Sequence, residues 1–355
     1  MKANTSQRIY KPIILLCTIF LALGNQLFAQ TLYVDAAKGN DQASGAVNAP
    51  LASLEQAVLK TNSFTENKLV KIKVAPGLYL LSHELFLKTA TTKSDTNAYT
   101  IEAMVMPDDK IWQPDKMPVI QCVSSVNDTT GFPHCIGMAI EKDNVHLKGL
   151  KFLGNPNNEV PDYYPIRRAD KTLNGLFVSQ CFFIGEPNSS AIQSAFWVSG
   201  PGVHVNYCIF HNSKIAMVLG SNFNDFSFTN SIVDGAYNTA IWYGSSGMVP
   251  SFTFQNNVFT NCYYILVYPA EKGQPKFSFR NLYLYNNAHE LGSYPKAQDK
   301  FLSQKAISIK EVNVIRNRKI TLVDVKNDGI THDNLNLSSS VGQDTSAGLF
   351  TIKHP

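Results

Sequence analysis

One ten-residue pattern is written six times along this chain, and it limits the fold more than any other feature. Segments beginning at Val145, Leu176, Val203, Phe226, Phe252 and Phe277 read VHLKGLKFLG, LFVSQCFFIG, VHVNYCIFHN, FSFTNSIVDG, FTFQNNVFTN and FSFRNLYLYN, at spacings of 31, 27, 23, 26 and 25 residues. Positions one and three are apolar in every copy, position eight is Phe, Val or Leu, and position ten is Gly or Asn. The period is two within each half, with a polar kink between the halves, so each copy describes two short strands rather than a helix.

A unit this small cannot bury its apolar side alone, but stacked units can. Stacking predicts one interior column of Leu147, Val178, Val205, Phe228, Phe254 and Phe279, and another of Phe152, Phe183, Phe210, Val233, Phe259 and Leu284. Asn230, Asn256 and Asn281 fall at the kink, where Asn tolerates left-handed backbone and its amide can bond the Asn above and below. A third strand recurs between copies as SAFWVSG (194–200), KIAMVLG (214–220), NTAIWYG (238–244) and YYILVYP (263–269). Three strands per turn of roughly 26 residues predict an all-β, right-handed parallel β-helix, a three-sheet solenoid; propeller blades need about 40 residues. The clearest rungs span 138–287.

Open stack ends need covers. APLASLEQAVLKT (49–61) offers Ser53 as an N-cap with Gln56 three residues on, and Leu54, Ala57 and Val58 on one face, so a capping helix is expected over about 53–61. VKIKVAPGLYLL (70–81) is read as the first rung. Residues 287–330 fit the repeat poorly, with VNVIRNRKITLVDV (312–325) as the place for the last rungs.

Residues 1–29 read as a secretory signal peptide: Lys2, Arg8 and Lys11 precede the apolar run IILLCTIFLAL (13–23), and Leu27 and Ala29 sit where a signal peptidase reads. The mature span 30–355 is then one secreted or periplasmic domain. A lipid anchor through Cys17 is the weaker reading, because that Cys lies inside the apolar run. Cleavage removes three basic residues and leaves 28 basic against 27 acidic, which favours neither nucleic acid nor an acidic membrane. No later stretch is long and apolar enough for a membrane helix. Five Cys remain, with no CxxC pair and no zinc-type spacing. Cys181 and Cys208 share a repeat position on adjacent rungs, where stacked buried thiols are the preferred reading over a bond.

YVDAAKGNDQASGAVNAPLASLEQAV (33–58) followed by VKIKVAPGLYLL resembles the N-terminal signature of secreted bacterial right-handed β-helix proteins of the pectate-lyase-like kind. HDNLNLSSSVGQDTSAG (332–348) resembles the segment that closes many of them. The resemblance implies a polysaccharide partner lying in a groove along one sheet, walled by long loops. It defines an architecture and not a reaction, since lyases, hydrolases, epimerases and adhesins share it.

The largest insertion, GNPNNEVPDYYPIRRADKTLNG (154–175), supplies Tyr164, Arg167 and Arg168. If PIRR joins the sheet of the third strands, a row passes through Arg168, Trp197, Met217, Trp242 or Tyr243, and Tyr268. Arginine beside flat aromatic rings suits a sugar carboxylate and stacked pyranose rings. One of Trp242 and Tyr243 should point inward, because strand residues alternate. The resemblance implies a Lys or Arg base for a lyase, for which Lys214 and Arg168 are candidates; His211 is an alternative proton carrier. Hydrolysis needs facing carboxylates, for which Asp162, Asp170 and Asp234 are available. His146 and His204 read as surface histidines. The sequence makes no cofactor certain; Ca2+ is the candidate ion, through Asp35 and Asp41, although Gly-Asn-Asp more often makes a turn. The expected protein is a monomer that binds an acidic polysaccharide, with β-elimination or hydrolysis as the expected reaction if it is an enzyme. The alternative is a non-catalytic carbohydrate-binding or cell-surface structural solenoid.

Overall fold

The apolar positions of the six copies pair with one another in the register that the repeat requires. The computed structural model describes residues 30–64, 69–88, 97–244, 251–269, 276–294, 302–303, 309–316, 318–319, 322–325, 334–337 and 347–351, so the expected leader lies outside the described residues. In the first sheet Leu147, Val178, Val205, Phe228, Phe254 and Phe279 are stacked Cα over Cα through parallel pairings. In the second, Phe152, Phe183, Phe210, Val233, Phe259 and Leu284 do the same. All twelve are buried in one continuous core. Phe183 lies nearly parallel to Phe152 at 4.8 Å and to Phe210 at 5.0 Å, so like packs on like along the axis.

In the seven coils from Val145 onward the kink between first and second strands is a single left-handed residue: Gly149, Gln180, Tyr207, Asn230, Asn256, Asn281 and Asn313 all have φ between 51° and 68°. Four successive bonds join the Asn amides, with Asn313 donating to Asn281, Asn281 to Asn256, Asn256 to Asn230 and Asn230 to Asn206, at 2.8–3.0 Å. The ladder satisfies polar groups that the bend exposes while holding neighbouring coils in register.

The third strands form a separate nine-stranded sheet from Leu85–Leu87 through Cys135–Ile140, Tyr163–Arg168, Ser194–Val198, Ile215–Leu219, Thr239–Tyr243 and Tyr264–Pro269 to His289–Tyr294, closed by an antiparallel Leu302–Ser303. The first and second sheets are joined because Lys276–Tyr285 and Ile309–Arg316 each run through both. The chain is a right-handed parallel β-helix of three strands per coil. Among the described residues no helix is long and apolar enough to cross a membrane.

Helix α1 (Leu54–Asn62) covers the N-terminal mouth, with the Ser53 side chain accepting from the Gln56 amide and Leu54, Ala57, Val58 and Thr61 buried. The stack begins one strand earlier than expected: Gln30–Val34 pairs with Val70–Val74 before the helix is reached in space. Asp35 accepts from the amides of Ala37 and Lys38, and Asp41 from those of Ala52 and Ser53 and from the Ser53 hydroxyl, so the Gly-Asn-Asp stretch is a turn that braces the cap.

At the other end Ile309–Arg316 is a genuine coil, with Asn313 at its bend. Its interior position three is Glu311, which stacks on Phe279. Exposed Arg316 joins Glu311 and Glu290 at 2.6 Å each. A charged residue in the apolar column hides this coil from the repeat and stops further stacking. Within 312–325, Leu322–Val325 is not a rung: it pairs antiparallel with Asn334–Leu337. Outside the second sheet a smaller apolar cluster, including Phe182, Ile209, Ile232 and Val258, is covered by Met117 and Leu349. The covering segment 347–351 is tied down by Gly348 to the Asn230 carbonyl, Gln180 to the Leu349 carbonyl and Thr351 to Asp108.

Candidate functional site

PIRR does enter the third sheet, but the row facing solvent is not the expected one. Arg167 pairs with Trp197, Trp197 with Val218, Val218 with Trp242 and Trp242 with Val267. Arg168 therefore shares its register with Val198, Leu219 and Tyr243, and points into the solenoid. Met217, Tyr243 and Tyr268 are likewise core residues. Of Trp242 and Tyr243, the tyrosine is the inward one. The strands SAFWV, IAMVL and TAIWY each bury three successive residues before exposing one, which breaks strict alternation and shifts the outward position by one residue.

This corrects the assignment of Arg168 as base or clamp. Its side chain is 0% exposed; Nε donates to the Ser199 carbonyl at 2.7 Å, and Nη2 to those of Gly200 and Pro201 at 2.9 Å each. It ties the end of its own strand to the turn of the next coil. His211 is also occupied. On the outer edge of the second sheet it meets the Asp234 carboxylate at 2.9 Å and the Asn212 amide at 2.9 Å, and Asp234 accepts in turn from Asn261. Asp234 is therefore part of a polar ladder rather than one of a facing carboxylate pair. Tyr268 and Tyr243 cannot serve as sugar platforms. Tyr164 is buried as a prop, 4.9 Å from Trp197 and 5.6 Å from His134. Trp242 is half-buried against Tyr294 at 5.0 Å.

Arg167 is the sequence candidate that the structure leaves available. Its guanidinium carbon lies 3.4 Å from the centroid of the Trp197 ring, a close stack. Among the described residues it has no hydrogen-bond or ion-pair partner. Burial lowers its pKa, and the charges of Asp128, Tyr164 and Glu84 oppose that.

Around this stack the fold assembles residues that the repeat did not indicate. The loop 123–134, between the second strand Val119–Cys122 and the third strand Cys135–Ile140, carries Asp128, Phe132 and His134. It is closed by an Asp128–His134 bridge and by Asn127, which exchanges two bonds with the Ile136 backbone at 2.8 and 2.9 Å. Phe132 stacks on Trp197 at 5.8 Å. The buried His134 meets the Phe132 carbonyl through Nδ1 at 2.8 Å and brings Nε2 to 3.5 Å from the Asp128 carboxylate. Glu84 immediately precedes Leu85–Leu87, whose Phe86 heads the same outward row as Arg167. Burial, then the charges of Asp128 and Glu141, push the Glu84 carboxyl up to about 7, with Arg167 pulling the other way. Burial raises Asp128 too, but hydrogen bonds from Thr130 and the charges of His134 and Arg167 bring it below its ordinary value. Two carboxyls near one arginine are thus driven in opposite directions.

Lys214 lies apart from this group, in a cleft of about 380 Å³ at the start of the third-sheet strands, walled by Asn157, Asn158, Asn188 and Gln193 and flanked by Tyr237. The Lys214 ammonium has no hydrogen-bond or ion-pair partner among the described residues. Asp162 is close enough to raise the Tyr237 phenol together with burial, which is the larger cause. Among the described residues no group of three or more His, Cys, Asp or Glu comes together to hold a metal ion.

No family model matches this chain, and no curated protein matches it. Among solved structures it is similar to a rhamnogalacturonan lyase, at 12% identity and TM-score 0.46, covering 91% of this chain and 100% of that one. It is also similar to a GH136 lacto-N-biosidase from Eubacterium ramulus, at 9% identity and TM-score 0.34, covering 81% of this chain and 68% of that one.

Proposed function

We propose that the outer face of the third sheet binds an acidic polysaccharide and that Glu84 and Asp128 hydrolyse it. The observation that carries this reading is Arg167, its guanidinium carbon 3.4 Å from the centroid of the Trp197 ring and its N–H groups without a hydrogen-bond partner among the described residues. A guanidinium fixed in one plane presents paired donors to a sugar carboxylate. The partly buried surroundings strengthen that pairing relative to open water.

Glu84, protonated to near neutral pH, donates to the glycosidic oxygen as it leaves, while Asp128 stays ionised to activate water or stabilise the sugar cation. His134 and the Asn127 bonds hold Asp128 in place. Lys214, across the sheet in its polar cleft, supplies a second cationic contact for a polymer with repeated carboxylates. One observation favours a second reading. Arg167 beside a uronate carboxylate would also stabilise the charge of β-elimination, with ionised Glu84 as base.

The test is incubation of the purified chain with uronate-containing and neutral polysaccharides, scoring reducing ends and the ultraviolet absorbance of unsaturated uronate ends. Reducing ends without absorbance, lost in Glu84→Gln and Asp128→Asn while binding persists, support hydrolysis. Both signals together mean elimination. Binding without either signal makes the chain a carbohydrate-binding scaffold. Acidic-polymer binding that is unchanged in Arg167→Ala overturns the site itself.

A further inference from the structure

We propose that Cys122 and Cys135 are joined by a disulfide in the exported protein, closing the base of the loop that carries Asp128, Phe132 and His134. This inference rests on the proposed export for its oxidant and on the proposed site for its consequence, but its test depends on neither activity nor substrate.

The five cysteines from residue 122 onward are all buried thiols in this structure, yet they are not equivalent. The Cys122 and Cys135 sulfurs lie 3.6 Å apart, in contact. A disulfide needs about 2.05 Å between sulfurs, so the pair must close by roughly a further 1.5 Å from the contact it already makes. Cys181 and Cys208 also interact across neighbouring coils, but each of their sulfurs meets two carbonyls at 3.3–3.6 Å, closer than the 3.8–4.0 Å carbonyl contacts of Cys135.

Location adds to geometry. Cys122 ends a second-sheet strand and Cys135 begins a third-sheet strand, and the twelve residues between them are the site loop. The loop is already pinched by the Asp128–His134 bridge, and Asn155 reaches from the next coil to the Ser124 carbonyl at 2.9 Å and the Cys135 sulfur at 3.4 Å.

The step is thiol–disulfide exchange with a protein disulfide donor of the oxidising compartment. One of the two cysteines attacks the donor disulfide as its thiolate and releases one donor thiol; the other then attacks the mixed disulfide and releases the second. The Cys122–Cys135 bond forms, the donor bond breaks, and two electrons and two protons end on the donor's thiols. Because both sulfurs are 0% exposed once folded, exchange precedes closure of this coil.

The full chain is expressed in an exporting host, purified without reductant, denatured with a thiol-alkylating reagent present, and mapped by mass spectrometry. The expected result is a linked Cys122–Cys135 peptide with Cys181, Cys208 and Cys262 alkylated. In addition, Cys122→Ser/Cys135→Ser should lower the thermal midpoint by a few degrees, and should speed hydrogen exchange in residues 123–134 while the amides of 176–184 keep their rates. Alkylation at all five positions, or a link at Cys181–Cys208 instead, overturns the proposal.

Discussion

Replacing Arg168 separates a structural arginine from a functional one. Burial pushes its guanidinium from 12.5 down to about 10, with nearby Asp143 opposing; that shift corresponds to a cost of about 3 kcal/mol. Against it stand three charge-assisted bonds to the Ser199, Gly200 and Pro201 carbonyls, each contributing about 1.5–3 kcal/mol. The bonds win, so the buried charge is net stabilising. Arg168→Met relieves the cost of burying a charge but leaves three carbonyls at the coil junction without their donor, at about 1–3 kcal/mol apiece where water is excluded. The expected loss is about 3–4 kcal/mol. Arg168→Lys, which keeps the charge but not the fork, should fall between. Urea unfolding followed by circular dichroism measures the loss. Hydrogen exchange at residues 194–203 localises it, since solenoid coils couple chiefly to their neighbours. The folded fraction should bind acidic polysaccharide as the parent does. A loss below about 1 kcal/mol would refute the energetic argument, and a stable variant that no longer binds would return Arg168 to the site.

Glu84 gives a pH prediction. Its folded carboxyl keeps its proton to about pH 7, whereas the unfolded one releases it near 4.5, so the folded state holds more protons across that window. Stability therefore falls as pH rises from about 4.5 to 7, and Glu84→Gln flattens that slope in urea titrations at several pH values. In the hydrolytic reading turnover also declines as Glu84 ionises, which a pH–rate profile would show. Asn256→Ala should lose about 2–4 kcal/mol, from the left-handed backbone at φ 56° and two ladder bonds. Asn256→Gly should recover the backbone part, and equal losses in the two variants would refute the conformational argument. Leu349→Ala, in the segment covering the outer face of the second sheet, should cost about 2–4 kcal/mol and increase binding of a hydrophobic dye; no change in either would mean that the segment is not needed there.

The coil was legible in the sequence because a strand's burial repeats every two residues and a parallel stack sets like residues over like. The columns from Leu147 to Phe279 and from Phe152 to Leu284, the Asn residues at the bend and the Ser53 cap all follow from that periodicity. The last coil was not legible, because Glu311 occupies an interior column at the open end, where it is exposed and paired with Arg316. The facing of the third sheet was not legible either. Two adjacent buried residues, such as Ala195 and Phe196, shift the alternation by one, and that step alone sends Arg168 into the core and Arg167 to the surface. Lys214 and Arg167 were visible as charged residues in an apolar repeat, but Glu84, Asp128 and His134 come from coils whose strands precede the recognisable copies. Period and propensity are properties of short segments, so the sequence alone determined the solenoid and the register of its first two strands in the six repeated coils. Only the tertiary structure, by laying residues 84, 128, 134, 167 and 197 from successive turns beside one another, decided which charges meet.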